Sequence, residues 1–274
     1  MQNILAAIRT MVTLIFLFYA SWSDYKTREV SNSVWVLFAP PAFALTLLEI
    51  LYFPILYFNN LSNLQFYGIC FGVTAAFATA LFYLGGFGGA DAKALMCLAL
   101  ALPFYPENLF QPIFGISPIS KVFFPLTVFS NAVLLAALTA VYTFFRNIFW
   151  RQRTGKKLFE AYHKEESFGK KFLALITGYK VSISKLKKEK WRLYPLEDVE
   201  YTENGVKRKL TPIPSDENKD LIIDRLTKAF ENGHVQDLVW VTPGLPMLIF
   251  ITAGLITALF FGDAVWAFIS FLLG

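Results

Sequence analysis

Apolar residues in this chain come in long runs with short polar breaks, and the runs predict six membrane helices. They cover about Ile4–Ala20, Ser33–Phe53, Phe66–Leu84, Ala92–Phe104 and Val122–Phe145, with the last inside Leu245–Leu273. A helix that crosses a bilayer needs roughly 20 mainly apolar residues. The fourth run is short, so its helix is expected to tilt little or to be helped by its neighbours. Pro40-Pro41 predicts a kink in the second helix. The last run suits one tilted helix and is too short for a hairpin of two, with Gly262-Asp263 marking its end near water. Glu49, Glu107 and Asp263 are expected at the interface.

Between the fifth and sixth runs the pattern changes. Leu158–Lys164 reads as helical, and Tyr179–Leu186 alternates apolar with polar residues as a strand does. Leu196–Glu203 and Val206–Ile213 flank Asn204-Gly205, a two-residue hairpin signal. Asn218–Glu231 places Leu221, Ile222, Leu226 and Phe230 on one helix face, closed by Asn232-Gly233. The expected fold is an α-helical integral membrane protein. Six transmembrane helices carry a small cytoplasmic α+β domain between helices five and six. The expected division is 1–150 for the membrane catalytic core with helices one to five, 151–239 for the α+β domain and 240–274 for the sixth helix.

Composition agrees with a membrane location. Of 274 residues, 55% are hydrophobic and only 16% charged, against about 25% charged in soluble domains. Met1–Ala20 is expected to be a retained helix, because Arg9 is the only charge in its leading part and no small-residue cleavage site follows before Asp24. Cys70 and Cys97 form no CxxC pair, so structural zinc is not expected. His163 and His234 have no neighbours at ligand spacing and read as surface or local structural residues.

The net charge of +5 is concentrated. Of the 25 Lys and Arg residues, only Arg9, Lys26, Arg28, Lys93 and Lys121 lie outside Arg146–Val239. Acids such as Glu160, Glu165, Glu166 and Asp198 are interspersed there, which argues for a solvated domain with a basic border and not for a nucleic-acid partner. Positive loops stay cytoplasmic. The amino terminus and the loops at 59–65 and 103–121 are therefore expected outside, and the loops around residues 24–32 and 85–91 and the polar domain inside.

Two acids then fall at one membrane face: Asp24, after the first apolar run, and Asp91, after the third and a turn rich in glycine, Gly85-Gly86-Phe87-Gly88-Gly89. An acid beside hydrocarbon is costly and points to function. Each also has a plainer reading: Asp91 as a helix N-cap, Asp24 as a loop acid paired with Lys26 or Arg28. Together, two nearby carboxyls can share a proton and activate a water. The glycines would let an extended substrate lie against the backbone, and Gly88 and Gly89 are the expected centre of that turn.

These residues resemble a known family. Asp24-Tyr-Lys-Thr-Arg28-Glu-Val-Ser-Asn32 is similar to the first aspartate motif of type IV prepilin peptidases, and Gly88-Gly89-Ala90-Asp91-Ala-Lys93 to their second, G-x-G-D, motif. Ala90 stands where glycine is usual, a departure that the archaeal branch tolerates. Val239–Pro246 also resembles archaeal preflagellin peptidases. The resemblance implies an aspartyl endopeptidase with Asp24 and Asp91 catalytic. It also implies a preflagellin or prepilin-like precursor as substrate, with a short basic leader ahead of an apolar helix that docks from the lipid bilayer. No metal or organic cofactor is implied. Bacterial relatives that also methylate their product often carry a four-cysteine zinc loop; two cysteines cannot build one, so cleavage alone is expected. Lys26, Arg28 and Lys93 are expected to pair with lipid phosphates or with acids of the polar domain and so to fix the two aspartate loops at the interface, Arg28 also biasing which acid keeps the shared proton. A proton-coupled transporter using the same carboxylates is the main alternative, and a membrane scaffold without catalysis a second.

Overall fold

A computed structural model describes residues 1–53, 60–160, 163–202, 205–211, 218–244 and 246–274. The chain divides into two compact units, Met1–Ala136 with Pro246–Gly274, and Ala137–Leu245.

The first unit is helical. It opens with α1 (Gln2–Thr27), α2 (Asn32–Tyr52), α3 (Asn60–Tyr83), α4 (Gly89–Ala101) and the short α5 (Pro118–Val122). Helix α6 (Phe124–Thr154) begins in this unit and continues into the second; α10 (Met247–Phe260) and α11 (Ala264–Leu273) return to the first. Among the described residues, four helices are long and apolar enough to cross a membrane, and five if α10 and α11 count as one broken span. The expected fourth span is not among them. Helix α4 has 13 residues, a rise of about 20 Å against a hydrocarbon core of about 30 Å. It is rich in alanine and packs against α2 and α3. Its Ala94, Leu95, Leu98 and Ala101 sit at the centre of the apolar core with Leu17, Phe38, Phe124 and Ile251. Helix α2 runs on through Pro40-Pro41 without a break.

The last apolar run is not one helix. It bends by 60° between α10 and α11. Gly262 makes the corner at φ 90, and a Cβ there would lie 2.5 Å from the Gly115 carbonyl oxygen, so only glycine fits without a shift. The Asn131 amide clamps the break, donating to the Gly262 carbonyl at 2.9 Å and accepting from Ala264 N–H at 3.1 Å. Asp263, expected at the interface, is buried. It caps α11 by accepting from Trp266 N–H at 2.9 Å and accepts the Ser117 hydroxyl at 2.9 Å. These donors replace the water that the carboxylate would otherwise need.

Glu49 also departs from expectation. It is buried inside the helical unit, its carboxylate 3.1 Å from the Arg9 guanidinium, itself buried. Each charge answers the desolvation of the other, and the local sequence around either one contains no sign of the partner. Glu107, by contrast, is exposed.

The second unit pairs two small sheets with helices. Strands β1 (Tyr179–Ser182), β5 (Leu238–Pro243) and β2 (Leu193–Pro195) form one antiparallel sheet in that order; β3 (Glu197–Thr202) and β4 (Gly205–Leu210) form a hairpin. The hairpin register pairs Thr202 with Gly205, so Gly205 opens β4; Glu203 and Asn204 lie outside the described residues. Helices α7 (Phe168–Thr177), α8 (Ile183–Lys188) and α9 (Lys219–Glu231) complete the unit. The expected strand over Tyr179–Leu186 stops halfway, because the Ser182 hydroxyl accepts Lys185 N–H at 3.2 Å and caps α8. Leu158 and Phe159 form a bend and not a helix, Ala161 and Tyr162 lying outside the described residues. In α9 the buried side is Ile222, Ile223, Leu226 and Ala229, while Leu221 and Phe230 face outward.

One buried polar group anchors this unit. Glu197 accepts from the Arg208 side chain, with Nε at 2.7 Å, and from Trp240 N–H at 2.9 Å; His163 Nε2 lies 3.6 Å from its Oε1. His163 is thus fully buried and not a surface residue. Burial opposes a charge on Glu197, but His163, the Arg208 charge and the Trp240 N–H outweigh it and hold the carboxyl below the usual glutamate range.

Candidate active site

Helix α1 outruns its apolar stretch by two turns, and Asp24 sits in the last of them, not in a loop. The helix closes at Arg28, whose N–H donates to the Asp24 carbonyl at 2.9 Å. Arg28 has φ 60, the only non-glycine positive φ among the described residues, a left-handed stop that usually falls to glycine. Side chains hold this corner. The Ser23 hydroxyl donates to the Glu29 carbonyl at 2.8 Å, and the Thr27 hydroxyl to the Ser23 carbonyl at 2.9 Å. Three residues later Ser31 caps α2, accepting Ser33 N–H at 3.3 Å.

Asp91 is the third residue of α4, with Gly88 as the N-cap. The expectation that Asp91 itself caps the helix is therefore off by three positions. Its Oδ2 reaches back and accepts Gly88 N–H at 3.0 Å, the return half of a capping box. Gly88 has φ −72 and ψ 158, an ordinary extended conformation. Positive φ in this turn belongs to Gly85 alone, at 73. Gly88 serves the carboxylate in another way: a Cβ there would sit 3.2 Å from Asp91 Oδ2. At Gly89 a Cβ would meet only the Phe82 ring, at an ordinary 3.7 Å.

Asp24 and Asp91 are each partly exposed. They are brought near enough that the Asp24 charge acts on Asp91, and the charge of Arg28 acts on both. Lys93 joins the two loops: its ammonium donates to the Asn32 side-chain oxygen at 2.6 Å, linking α4 to the start of α2. Lys26 lies over the Trp22 ring, 4.6 Å from its centre. Asn32 is the partner that sequence reasoning did not single out, although it closes the first aspartate motif. The arrangement offers two carboxyls, one fixed by a backbone N–H and both in the field of one guanidinium.

The description "Type IV leader peptidase family" matches residues 11–141, which include both aspartates, and "Archaeal Peptidase A24 C-terminus Type II" matches 170–264. The preflagellin peptidase of Methanococcus voltae is 30% identical over 94% of this chain and 97% of its own length. Those of Methanococcus maripaludis and Methanocaldococcus jannaschii are 23% and 26% identical over 96% and 94% of this chain, and over 98% and 95% of their own lengths. A match that takes in both aspartate motifs, a second across the C-terminal sheet unit and an end-to-end relative leave one assignment: the chain belongs to the type IV leader peptidase family, in its archaeal preflagellin peptidase branch.

Proposed function

We propose that this chain is a membrane aspartyl endopeptidase that removes the short basic leader from a preflagellin or type IV prepilin-like precursor. Its catalytic groups are Asp24 and Asp91. One takes a proton from water as that water attacks the scissile carbonyl; the other donates a proton to the carbonyl oxygen or to the leaving amine. The observation that supports this reading is that Asp24, in the last turn of α1, and Asp91, in the first turn of α4, lie close enough for the Asp24 charge to act on Asp91, whose carboxylate is held by the Gly88 turn. The relatives named preflagellin peptidase support the choice of substrate.

In this proposal the amino terminus lies outside the cell, and both aspartates and the α+β unit lie at the cytoplasmic face, following the charge of the loops. The precursor's apolar helix docks from the bilayer while its basic leader stays in water, and the extended stretch between them lies along the glycine turn. The leader and the loop cations repel. Lys93, bound to Asn32, is accordingly assigned to tying the start of α4 to the start of α2, and Lys26, over Trp22, to the end of α1 that carries Asp24. Arg28 biases which carboxyl keeps the shared proton.

Cleavage of a purified precursor by the purified chain in detergent tests the proposal. Asp24→Asn and Asp91→Asn keep shape and remove ionisation; each is expected to abolish cleavage while leaving a folded protein. Substantial turnover by either variant would sink the dyad. Absence of cleavage by the folded wild-type chain would favour the transporter reading.

A further inference from the structure

Helix α7 carries apolar side chains on two faces. Inward, Ala174 is buried and Leu175 packs with Leu196, Leu210 and Trp240. Outward, Phe168, Phe172 and Leu173 are 82%, 46% and 42% exposed. Phe168 and Phe172 lie one turn apart on the same side, with Leu173 about 100° further round, so the three make one broad apolar side of the helix, and the two phenyl rings stack with centres 6.2 Å apart. Bases flank this side. Lys170 pairs with Glu166 at 2.9 Å, and the Lys171 ammonium donates to the Lys164 carbonyl at 3.3 Å. An apolar face rimmed by polar residues marks a surface suited to meet something apolar.

The attachment of α7 says what. The Asn147 amide of α6 donates to the Leu175 carbonyl at 2.9 Å and to the Gly178 carbonyl at 2.7 Å, pinning the carboxyl end of α7 to α6. Arg146 stacks on Tyr179, 3.9 Å from the ring centre, just beyond the same corner. Helix α6 is one of the helices long and apolar enough to cross a bilayer. From Phe124 to Trp150 it rises about 40 Å, more than the hydrocarbon core of about 30 Å. Asn147 thus falls where α6 leaves the core, among Arg146, Trp150 and Arg151. Aromatic and basic residues of this kind mark the headgroup level. Phe145 and Phe149 beside it are exposed.

We propose that α7 is an interfacial helix: Phe168, Phe172 and Leu173 enter the edge of the bilayer, and Lys164, Lys170 and Lys171 meet anionic lipid headgroups. The occupant of this face is lipid, not another protein. The inference rests on α6 being a span and is independent of the peptidase chemistry.

The test uses the full chain in lipid nanodiscs. An environment-sensitive fluorophore is attached at Phe172→Cys, with Glu231→Cys on α9 as control, in a Cys70→Ser, Cys97→Ala background. The label at 172 is expected to emit further to the blue than that at 231 and to be quenched by lipids with brominated acyl chains, the label at 231 not. Absence of quenching at 172 overturns the proposal. So does quenching by a second labelled copy in detergent, which would make this face a subunit contact. A label-free measurement covers the case in which the cysteine background does not fold. Hydrogen–deuterium exchange of the native chain is expected to show the α7 amides better protected in phosphatidylglycerol nanodiscs than in phosphatidylcholine ones, and Lys170→Gln with Lys171→Gln to remove the difference. Equal protection of the native chain in both lipids overturns the assignment of anionic headgroups.

Discussion

Replacing Gly88 by alanine perturbs the proposed site through one contact. The backbone there, at φ −72 and ψ 158, is open to any residue, so the substitution costs nothing in conformation. The new Cβ would lie 3.2 Å from Asp91 Oδ2, closer than an ordinary contact. The carboxylate must therefore retreat by a few tenths of an ångström, stretching its 3.0 Å bond from Gly88 N–H. A hydrogen bond to a charged group contributes about 1.5–3 kcal/mol. Losing roughly half of it corresponds to a fall in kcat of about three- to twelvefold, since about 1.4 kcal/mol is a factor of ten. Valine adds two methyl groups and is expected to remove the bond altogether, a loss of about 10- to 150-fold. Initial cleavage rates on a purified precursor measure both. Gly85→Ala is the control: at φ 73 with open space around it, it should cost about 1–2 kcal/mol of stability and leave kcat near wild type. If Gly88→Ala keeps the wild-type kcat, or folded Gly85→Ala loses as much, the turn is a connector and Asp91 does not depend on it.

Three further outcomes follow from the structure. Arg9 and Glu49 attract each other by about 5 kcal/mol at 3.1 Å with an effective dielectric constant of about 20; Arg9→Met or Glu49→Leu alone should destabilise the chain by about 3–5 kcal/mol, whereas the double change should recover most of this, as read by thermal unfolding in detergent. A double variant as unstable as the sum of the singles would refute the pairing. Glu197, held below the usual glutamate range, stabilises the fold above the unfolded value of about 4.3 and loses that contribution as pH falls through its lower folded value; Glu197→Gln should lack this step in a profile of unfolding midpoint against pH. Single cysteines at Gln65 should label from outside the cell and those at Ser31 and Glu231 only after permeabilisation; outside labelling at Ser31 would invert the proposed orientation.

Much of the architecture is written locally. Uninterrupted apolar runs gave away α1, α2, α3 and α6, because a helix that faces lipid needs no partner to be apolar all round. The Asn204-Gly205 turn signal announced the β3–β4 hairpin, whose strands are sequence neighbours. The two aspartate motifs were legible because each combines an acid with its own capping or turn residues within a few positions. Even so, the local signals stopped short at element ends: α1 outlasts its apolar run through Thr27, where the Ser23 and Thr27 side chains tie the corner to Glu29.

Local patterns thus suffice for a membrane chain with a sheet unit set between its helices and two acids in family-like motifs. Which polar groups the interior holds depends on packing between distant segments. Arg9 meets Glu49 across 40 positions, Ser117 meets Asp263 across 146, and Lys93 meets Asn32 across 61. A charge that looks interfacial in a one-dimensional pattern can be buried when a distant helix brings its partner. The energy that permits it lies in the pair and in neither segment. The same reason explains α4, too short to look like a span yet at the centre of the core, because its alanines admit the neighbouring helices that surround it. It also explains Gly88, whose need for no side chain arises from the Asp91 carboxylate folding back onto it and not from its own φ.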